Sequence, residues 1–548
     1  MNAPAAQNSA AQHSAPQNSA ADQIARGRTT LGIELGSTRI KACLIDADDP
    51  TTVLAVGAHE WENAFVDRLW TYAEADIWTG LRAAFAALAD DVRATHGQSL
   101  ETVGAIGVSA MMHGYLALDD RGELLVPFRT WRNTNTGAAA AELSELLDVN
   151  IPLRWSIAHL RQAVLDAEPH VAEVRGITTL AGFVHERLTG RRVLGVGDAS
   201  GVFPIDSATR DYDADLVRRY DELTGEGTSL RALLPEVLVA GEDAGTLTEA
   251  GAAVLDPTGV LRAGIPFCPP EGDAGTGMVA TASVAPRTGN VSAGTSIFAM
   301  VVLERPLAGR HHELDLVTTP AGDAVAMVHC NNGASELAGW VDLFRRFAEA
   351  SGSPASPDEV YATLFAEALS GEADAGGLLA YNHLAGEPIV GTSEGRPMVV
   401  RTPDSRLTLP NFMRAQLYGV FATLSLGMRV LDGEGVALDR MYAHGGMFRT
   451  AGVAQRFLAG ALAAPVAVDD RASEGGAWGI AVLASYLLDG AQVDGAPASL
   501  GEYLTDRVFA NASLSVVDPE PADVAGYAAF LGRYAAGLAA ERAAIEAL

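Results

Sequence analysis

The chain has 548 residues, 48% of them hydrophobic and 19% charged, which is enough apolar material for large buried sheets and too much length for one ordinary core. Its 68 acids against 38 bases give a formal net charge of −30, spread without a long acidic run, and this argues against nucleic acid or anionic lipid as a partner. Cys43, Cys268 and Cys330 stand apart without metal-ligand spacing, so the expectation is a reducing, cytoplasmic setting with no disulfide framework.

Residues 1 to about 26 carry the near-repeats AQNSA, AQHSA and PQNSA and few bulky apolar side chains. A disordered low-complexity tail is expected there, bounded as 1–28. It lacks the basic and apolar regions of a signal peptide. The longest apolar run, near Ala477 to Leu488, is too short to span a bilayer, so no membrane association is expected.

The first ordered stretch, LGIELGSTRIKACLID, reads as a strand from Leu31 to Glu34, a turn Leu35-Gly36-Ser37-Thr38, and a returning strand from Ile40 to Asp46. A third strand is expected over Thr52 to Trp61. Trp78, Leu81, Phe85, Leu88 and Val92 then recur at helical spacing, which predicts a helix over Ile77 to Thr95 ended by Gly97. Thr102 to Ser109 reads as a buried parallel strand. Met111, Met112, His113 and Gly114 follow at its carboxyl end, where open α/β sheets bind ligands.

In FRTWRNTNT (128–136), Trp131 stands among Arg132, Asn133 and Asn135. An aromatic face with amide and guanidinium donors suits a polyol, and a surface loop with one buried Trp is the plain alternative. Gly195 to Gly201 (GVGDASG) has the wrong spacing for a dinucleotide fingerprint and reads as a structural turn. Leu233 to Cys268 reads as loop-rich.

The centre of the chain is Glu271 to Met300, where Asp273 stands between Gly272 and Gly275 and VSAGTSIFAM forms a second strand–turn–strand around Ala293-Gly294-Thr295-Ser296. Ala324 to Cys330 supplies its third strand. The two hairpins are near copies, which points to a duplicated domain. Turns of Gly and hydroxyl residues leave backbone N–H groups free for an anion, so two facing hairpins would grip a polyphosphate from both sides, with Asp273 on the floor between them.

Further on, Met413, Leu417, Val420, Leu424, Met428 and Leu431 predict a helix over Asn411 to Leu431 with Pro410 in its first turn. A strand from Arg440 to His444 runs into Gly445-Gly446-Met447, a helix to Leu462 and a strand from Pro465 to Val468 follow, and Glu474 to Gly479 opens another helix. Paired glycines admit a flat ligand close to backbone, which makes these segments candidates for an adenine slot. The Ala-rich stretch from Pro521 reads as helical.

These pieces, in this order from about residue 29 to about 535, resemble the FGGY family of carbohydrate kinases within the actin-like ATPase superfamily. The resemblance implies an α/β fold of two duplicated actin-like (ribonuclease H-like) domains with an interdomain catalytic cleft, a sugar-binding domain over 29–286 and a nucleotide-binding domain over 287–548. It implies phosphorylation of a sugar or polyol hydroxyl, with ATP and Mg²⁺ as cofactors and a ketopentose such as xylulose or ribulose as the best substrate. Asp273 matches the general base and a substrate contact; Met112, His113 and Trp131 match the sugar pocket. Gly36, Ser37, Thr38 and Lys41, with Gly294, Thr295 and Ser296, match the phosphate segments. Gly445, Gly446 and Met447 match the adenosine segment, and Glu34 with Asp273 would hold magnesium, through water in one arrangement.

The sequence departs from the family pattern at several of these places. Glu34 stands for the usual Asp, moving a carboxylate by about one C–C bond, ~1.5 Å. Met111 stands for the sugar-loop Gln, and Arg132 to Asn135 replace the Asn-Asp-Gln-Arg that often follows the Trp. A catalytically silent actin-fold nucleotide-binding regulator or scaffold is the alternative reading, resting on Glu34. A nicotinamide dehydrogenase lacks a well-spaced fingerprint. A homodimer is left open.

Overall fold

The computed structural model describes residues 19–225, 229–448, 450, 452–469, 475–490, 498–512 and 514–548. Strands β1 (Thr29–Leu35), β2 (Arg39–Asp46), β3 (Val53–Glu60), β4 (Ala105–Ala110) and β5 (Glu271–Gly272) form one sheet in the order β5-β4-β1-β2-β3. A second sheet contains β6 (Thr288–Ala293), β7 (Ile297–Val302), β8 (Asp315–Thr318), β9 (Ala324–Cys330), β10 (Arg440–His444), β11 (Val466–Asp469) and β12 (Leu514–Val517). Its order is β8-β9-β7-β6-β10-β11-β12.

The duplication expected from the hairpins is visible in the pairing. In the first sheet β3, β2 and β1 run antiparallel and β4 lies parallel to β1. In the second, β9, β7 and β6 repeat that pattern and β10 lies parallel to β6. Central β1 is buried along nearly its whole length because both of its faces are covered.

Eight helices matter below: α1 (Ala20–Ala25), α2 (Glu74–His96), α3 (Asp273–Ala280), α4 (Ser335–Ala350), α5 (Pro357–Leu369), α6 (Leu409–Gly433), α7 (Gly475–Ser485) and α8 (Pro521–Ala547). In α2, Ile77, Leu81, Phe85, Leu88 and Val92 are buried, and Gly97 closes the helix at φ 66°; Trp78 is only half-buried. Helix α7, far along the sequence, docks on the first sheet. The Thr30 hydroxyl donates to the Ala481 carbonyl at 3.0 Å, and a β-carbon on Gly32 would lie 2.0 Å from the Ala477 carbonyl, so only glycine permits this approach.

The sheets meet across a shared apolar layer that includes Met112, Ala274 and Met278 from one side and Met300, Val317, Val325 and Met327 from the other. Polar ties reinforce it. Thr318 N–H donates to Ser200 Oγ at 3.1 Å, Thr318 Oγ1 donates to the Val196 carbonyl at 3.0 Å, and Ala240 N–H donates to the Pro320 carbonyl at 2.8 Å. Arg154 pairs with Asp315 across the same seam.

Some expectations change. The end of the expected disordered tail is helix α1, with Ile24 buried and Gln23 Nε2 donating to Asp46 and Asp48; residues 1–18 lie outside the described residues. The loop-rich stretch contains a strand, Glu236–Leu238, and a helix, Glu249–Leu255. Strand β8 enters before β9, and a small hairpin, Ala64–Val66 with Leu69–Thr71, precedes α2.

Candidate active site

Strand β5 pairs in parallel with β4 through Glu271↔Ser109 and Gly272↔Ala110. The chain then turns at Gly272 into α3, so Asp273 becomes the first residue of that helix. Its position beyond β4 brings it to the sugar-loop candidate: Met112 N–H donates to Asp273 Oδ1 at 3.1 Å. The residue is exposed to solvent, yet its carboxyl group is crowded by surrounding protein. Desolvation holds its pKa above the usual carboxylate value, and the N–H groups of Met112 and Ala274 oppose the rise.

Behind Asp273 lie two fully buried acids that the sequence reading did not single out. Glu271 accepts from the N–H groups of Gly197 at 3.3 Å and Asp198 at 2.9 Å, and Asp198 accepts the Thr179 hydroxyl at 2.5 Å. Burial, then the neighbouring carboxylate, pushes Glu271 up to about 8. Burial is also the main cause that raises Asp198 to about 7, with the charge of Asp273 adding to it. The glycine-rich segment at 195–201 thus wraps a carboxylate: β-carbons on Gly195 or Gly197 would fall within 2.4 Å of Glu271 oxygens.

His113 adopts φ 71°, in the left-handed region that non-glycine residues seldom occupy. Its ring is buried, with Nδ1 3.4 Å from the Gly201 carbonyl, and stacks on Trp155 at 6.3 Å. Burial and then the Arg154 guanidinium hold the ring well below the usual imidazole range, so it is neutral at pH 7. Met111 is buried and its N–H donates to the Leu35 carbonyl. The neighbourhood of Trp131 differs from the expected polyol furniture. Asn133 is buried, exchanging hydrogen bonds with the Trp70 backbone, and Arg132 lies 4.2 Å over the Trp70 ring. These two side chains fasten the loop to the small hairpin. Trp131 itself is half-buried, with Arg132 6.0 Å from its ring.

The two Gly-hydroxyl turns sit at the ends of their sheets as expected. In the first, Gly36 N–H donates to the Arg39 carbonyl at 3.0 Å; in the second, Gly294 N–H donates to the Ser296 carbonyl at 2.9 Å. Lys41, the only lysine in the chain, pairs in register with Glu34 on β1. A β-carbon at Gly476 would lie 2.3 Å from Glu34 Oε1 and 2.9 Å from Thr276 Oγ1, so the start of α7 and the middle of α3 enclose the Glu34 carboxylate.

A cavity of about 740 Å³ opens beside the second turn, lined by Gly294, Thr295, Asp358, Tyr361, Gly446 and Met447 among others. Gly445, at φ 112°, leaves no room for a side chain, since a β-carbon would meet the Ala293 carbonyl at 2.3 Å. At Gly446 a β-carbon would meet nothing within 4 Å. The second glycine segment is placed differently from the expected adenine slot: Gly476 and Gly479 pack against Glu34 and the Thr276 backbone, and Glu474 lies outside the described residues.

Two sheets that share a four-strand pattern and meet across a common apolar layer, with Asp273 exposed at the head of α3, define a two-domain α/β protein. The chain belongs to the FGGY family of carbohydrate kinases: residues 29–279 match the N-terminal domain of that family and residues 289–488 its C-terminal domain. The xylulose kinase of Escherichia coli (strain K12) is 28% identical over 232 residues, covering 38% of this chain and 45% of that protein. Among solved structures, xylulose kinase from Rhodospirillum rubrum matches with TM-score 0.74 at 22% identity, over 94% of this chain and 99% of that one. Gluconate kinase from Lactobacillus acidophilus matches with TM-score 0.72 at 16% identity, over 93% of this chain and 98% of that one.

Proposed function

We propose that the protein transfers the γ-phosphoryl group of ATP to a hydroxyl of a ketopentose such as xylulose or ribulose. The observation that carries this reading is the position of Asp273. It is the open carboxylate at the head of α3, hydrogen-bonded to the loop that bears Met112 and His113. In this reading the sugar lies against Met112, His113 and Trp131, and Asp273 takes the proton of the attacking hydroxyl. Phosphoryl transfer asks a protein chiefly for positioning and charge neutralisation, and a raised pKa makes Asp273 a better proton acceptor near neutral pH.

The adenosine part of the nucleotide would occupy the cavity beside Gly446 and Met447. Its phosphates would run toward Gly294, Thr295 and Ser296 on one side and Gly36, Ser37, Thr38 and Lys41 on the other. Lys41 supplies a positive charge on a strongly acidic chain. Glu34 and Asp273 offer the hard oxygen donors that magnesium prefers. Among the described residues no group of three or more His, Cys, Asp or Glu forms a metal cage, which agrees with an ion held by one or two carboxylates, water and phosphates. Bound there, the ion would neutralise phosphate charge.

Relatives in sequence include xylulose kinases, and the R. rubrum structure carries the same name. The fold is shared with a gluconate kinase, so the sugar is read from the relatives and not from the architecture. Among the described residues no helix is long and apolar enough to cross a membrane. An ADP-release assay with magnesium across ketopentoses, ketohexoses, polyols and aldonates tests the proposal. Turnover highest on xylulose or ribulose is the expected result. Nucleotide binding without turnover on any of them would favour the silent regulator, for which Glu34 is the supporting residue.

A further inference from the structure

One row of residues crosses the second sheet at the edge that bears the Gly294–Ser296 turn. Ser292 pairs with His444 on one side and Phe298 on the other, and Phe298 pairs with His329. The next row inward on the same face contains Asn290, Met300, Met327 and Asp315. Met300 and Met327 are buried in the layer shared with Met112, Ala274 and Met278 of the first half. Side chains two residues apart on a strand share a face, so His329, two beyond Met327, points toward the first half one step nearer the cleft.

The ring of His329 is half-buried and lies nearly parallel to Phe298, with centroids 6.4 Å apart. Among the described residues nothing hydrogen-bonds its nitrogens. The guanidinium of Arg154 acts on both His329 and His113, and the ring of His329 adds to the effect on His113. Arg154 is held on one side by Asp315, and its carbonyl accepts from Gly114 N–H at 3.1 Å. Two imidazoles, one from each half, therefore lie within reach of one clasped arginine, and His113 belongs to the loop whose Met112 N–H bonds Asp273. Burial and Arg154 hold His329 at about 3, so it is neutral at working pH. A neutral imidazole offers one donor and one acceptor, which matches a hydroxyl group.

We propose that His329 is a sugar-binding residue supplied by the second half of the chain, hydrogen-bonding a substrate hydroxyl distinct from the one that Asp273 deprotonates. This rests on the kinase reading above. The sugar is then held from both sides of the cleft, and a substrate too short to reach His329 loses that contact. Unlike Asp273, His329 has no part in the chemistry, and its loss acts on sugar binding and leaves nucleotide binding alone.

The test compares the parent with His329→Ala and His329→Gln on the best sugar of the panel and on its singly deoxygenated analogues, with sugar binding also followed by calorimetry. Losing one neutral hydrogen bond predicts a rise in sugar KM of roughly tenfold for His329→Ala, with the ATP KM unchanged, and Gln should recover most of it. One deoxy analogue should bind the parent about as weakly as the full sugar binds His329→Ala, and that analogue should lose nothing further on the variant. A sugar KM within twofold of the parent, or the same discrimination against every deoxy analogue in both proteins, would overturn the assignment. If the parent turns over no sugar, the kinase reading fails, and calorimetry with the parent and His329→Ala still decides whether His329 holds a polyol.

Discussion

The two Gly-hydroxyl turns are built from the same residue types, yet they are supported in different ways. Behind the first stands an aromatic brace. Trp61 Nε1 donates to the Gly36 carbonyl at 2.7 Å, the Tyr72 hydroxyl donates to the Ser37 carbonyl at 2.6 Å, and the two rings stack at 4.1 Å. Among the described residues the second is held through backbone, with Gly333 N–H on the Thr295 carbonyl at 2.7 Å and Ala334 N–H on the Gly294 carbonyl at 2.9 Å. That turn opens onto the 740 Å³ cavity. The repeated turn has kept its residue types and changed its surroundings: the first copy is a braced wall, and the second is the rim of a cavity.

The largest expected effect belongs to the residue between them. Asp273→Asn should bind ATP and sugar normally and lose ~10²–10⁴-fold in kcat, the span of a general base. An Asn variant within about tenfold of the parent, only ~1.4 kcal/mol of barrier, would reduce Asp273 to a helix-start residue and leave the floor without its chemical role. Next comes the rim. Gly446→Val, projecting a branched side chain into open cavity, should weaken ATP binding at least roughly tenfold by calorimetry, an effect of ~1.4 kcal/mol, with little change in melting temperature. An unchanged affinity would take the nucleotide out of this cavity.

The wall should respond less. Trp61→Phe keeps the stack on Tyr72 and removes the N–H bond to Gly36, a change of ~0.5–1.5 kcal/mol, so kcat/KM should fall several-fold at nearly constant ATP affinity. If this variant lost as much ATP affinity as Gly446→Val, the contrast between wall and rim would be wrong. The smallest effect is read on stability. A folded-state pKa of about 7 for Asp198, above its ordinary 3.8, means that its contribution is complete below pH ~4 and is lost as pH rises through 7. The melting temperature should therefore decline from pH 5 to 8, and Asp198→Asn should flatten that decline by on the order of two or three degrees. Equal slopes in both proteins would show that the acid is not held protonated.

Much of this was legible where local chemistry decides the outcome. Gly-Ser-Thr between apolar runs is enough to mark a hairpin, β9 and β10 begin and end where the residue pattern places them, and α2 and α6 follow their apolar period. Other features depend on distant partners. Helix α4 buries only Leu337 and Val341 while Leu343 and Phe347 face solvent, which blurs its period. Asn133 reads as a ligand donor until Trp70 is seen beside it, and the burial of Asp198 and Glu271 follows from β5 meeting a loop some seventy residues earlier. The tail reading failed at Ile24, because a single apolar residue in a six-residue helix carries little compositional signal.

The docking of α7 has a consequence for how the protein is made. The first sheet is finished in sequence by Gly272, but the trough along Gly32 and Gly107 is filled by Ala477 and Ile480. During synthesis the amino-terminal half therefore waits, with an apolar surface open to solvent or to chaperones, until some two hundred more residues have left the ribosome. At synthesis rates of ~5–20 residues per second that interval lasts on the order of ten to forty seconds. The two halves repeat one strand pattern, but the nascent chain must complete them together.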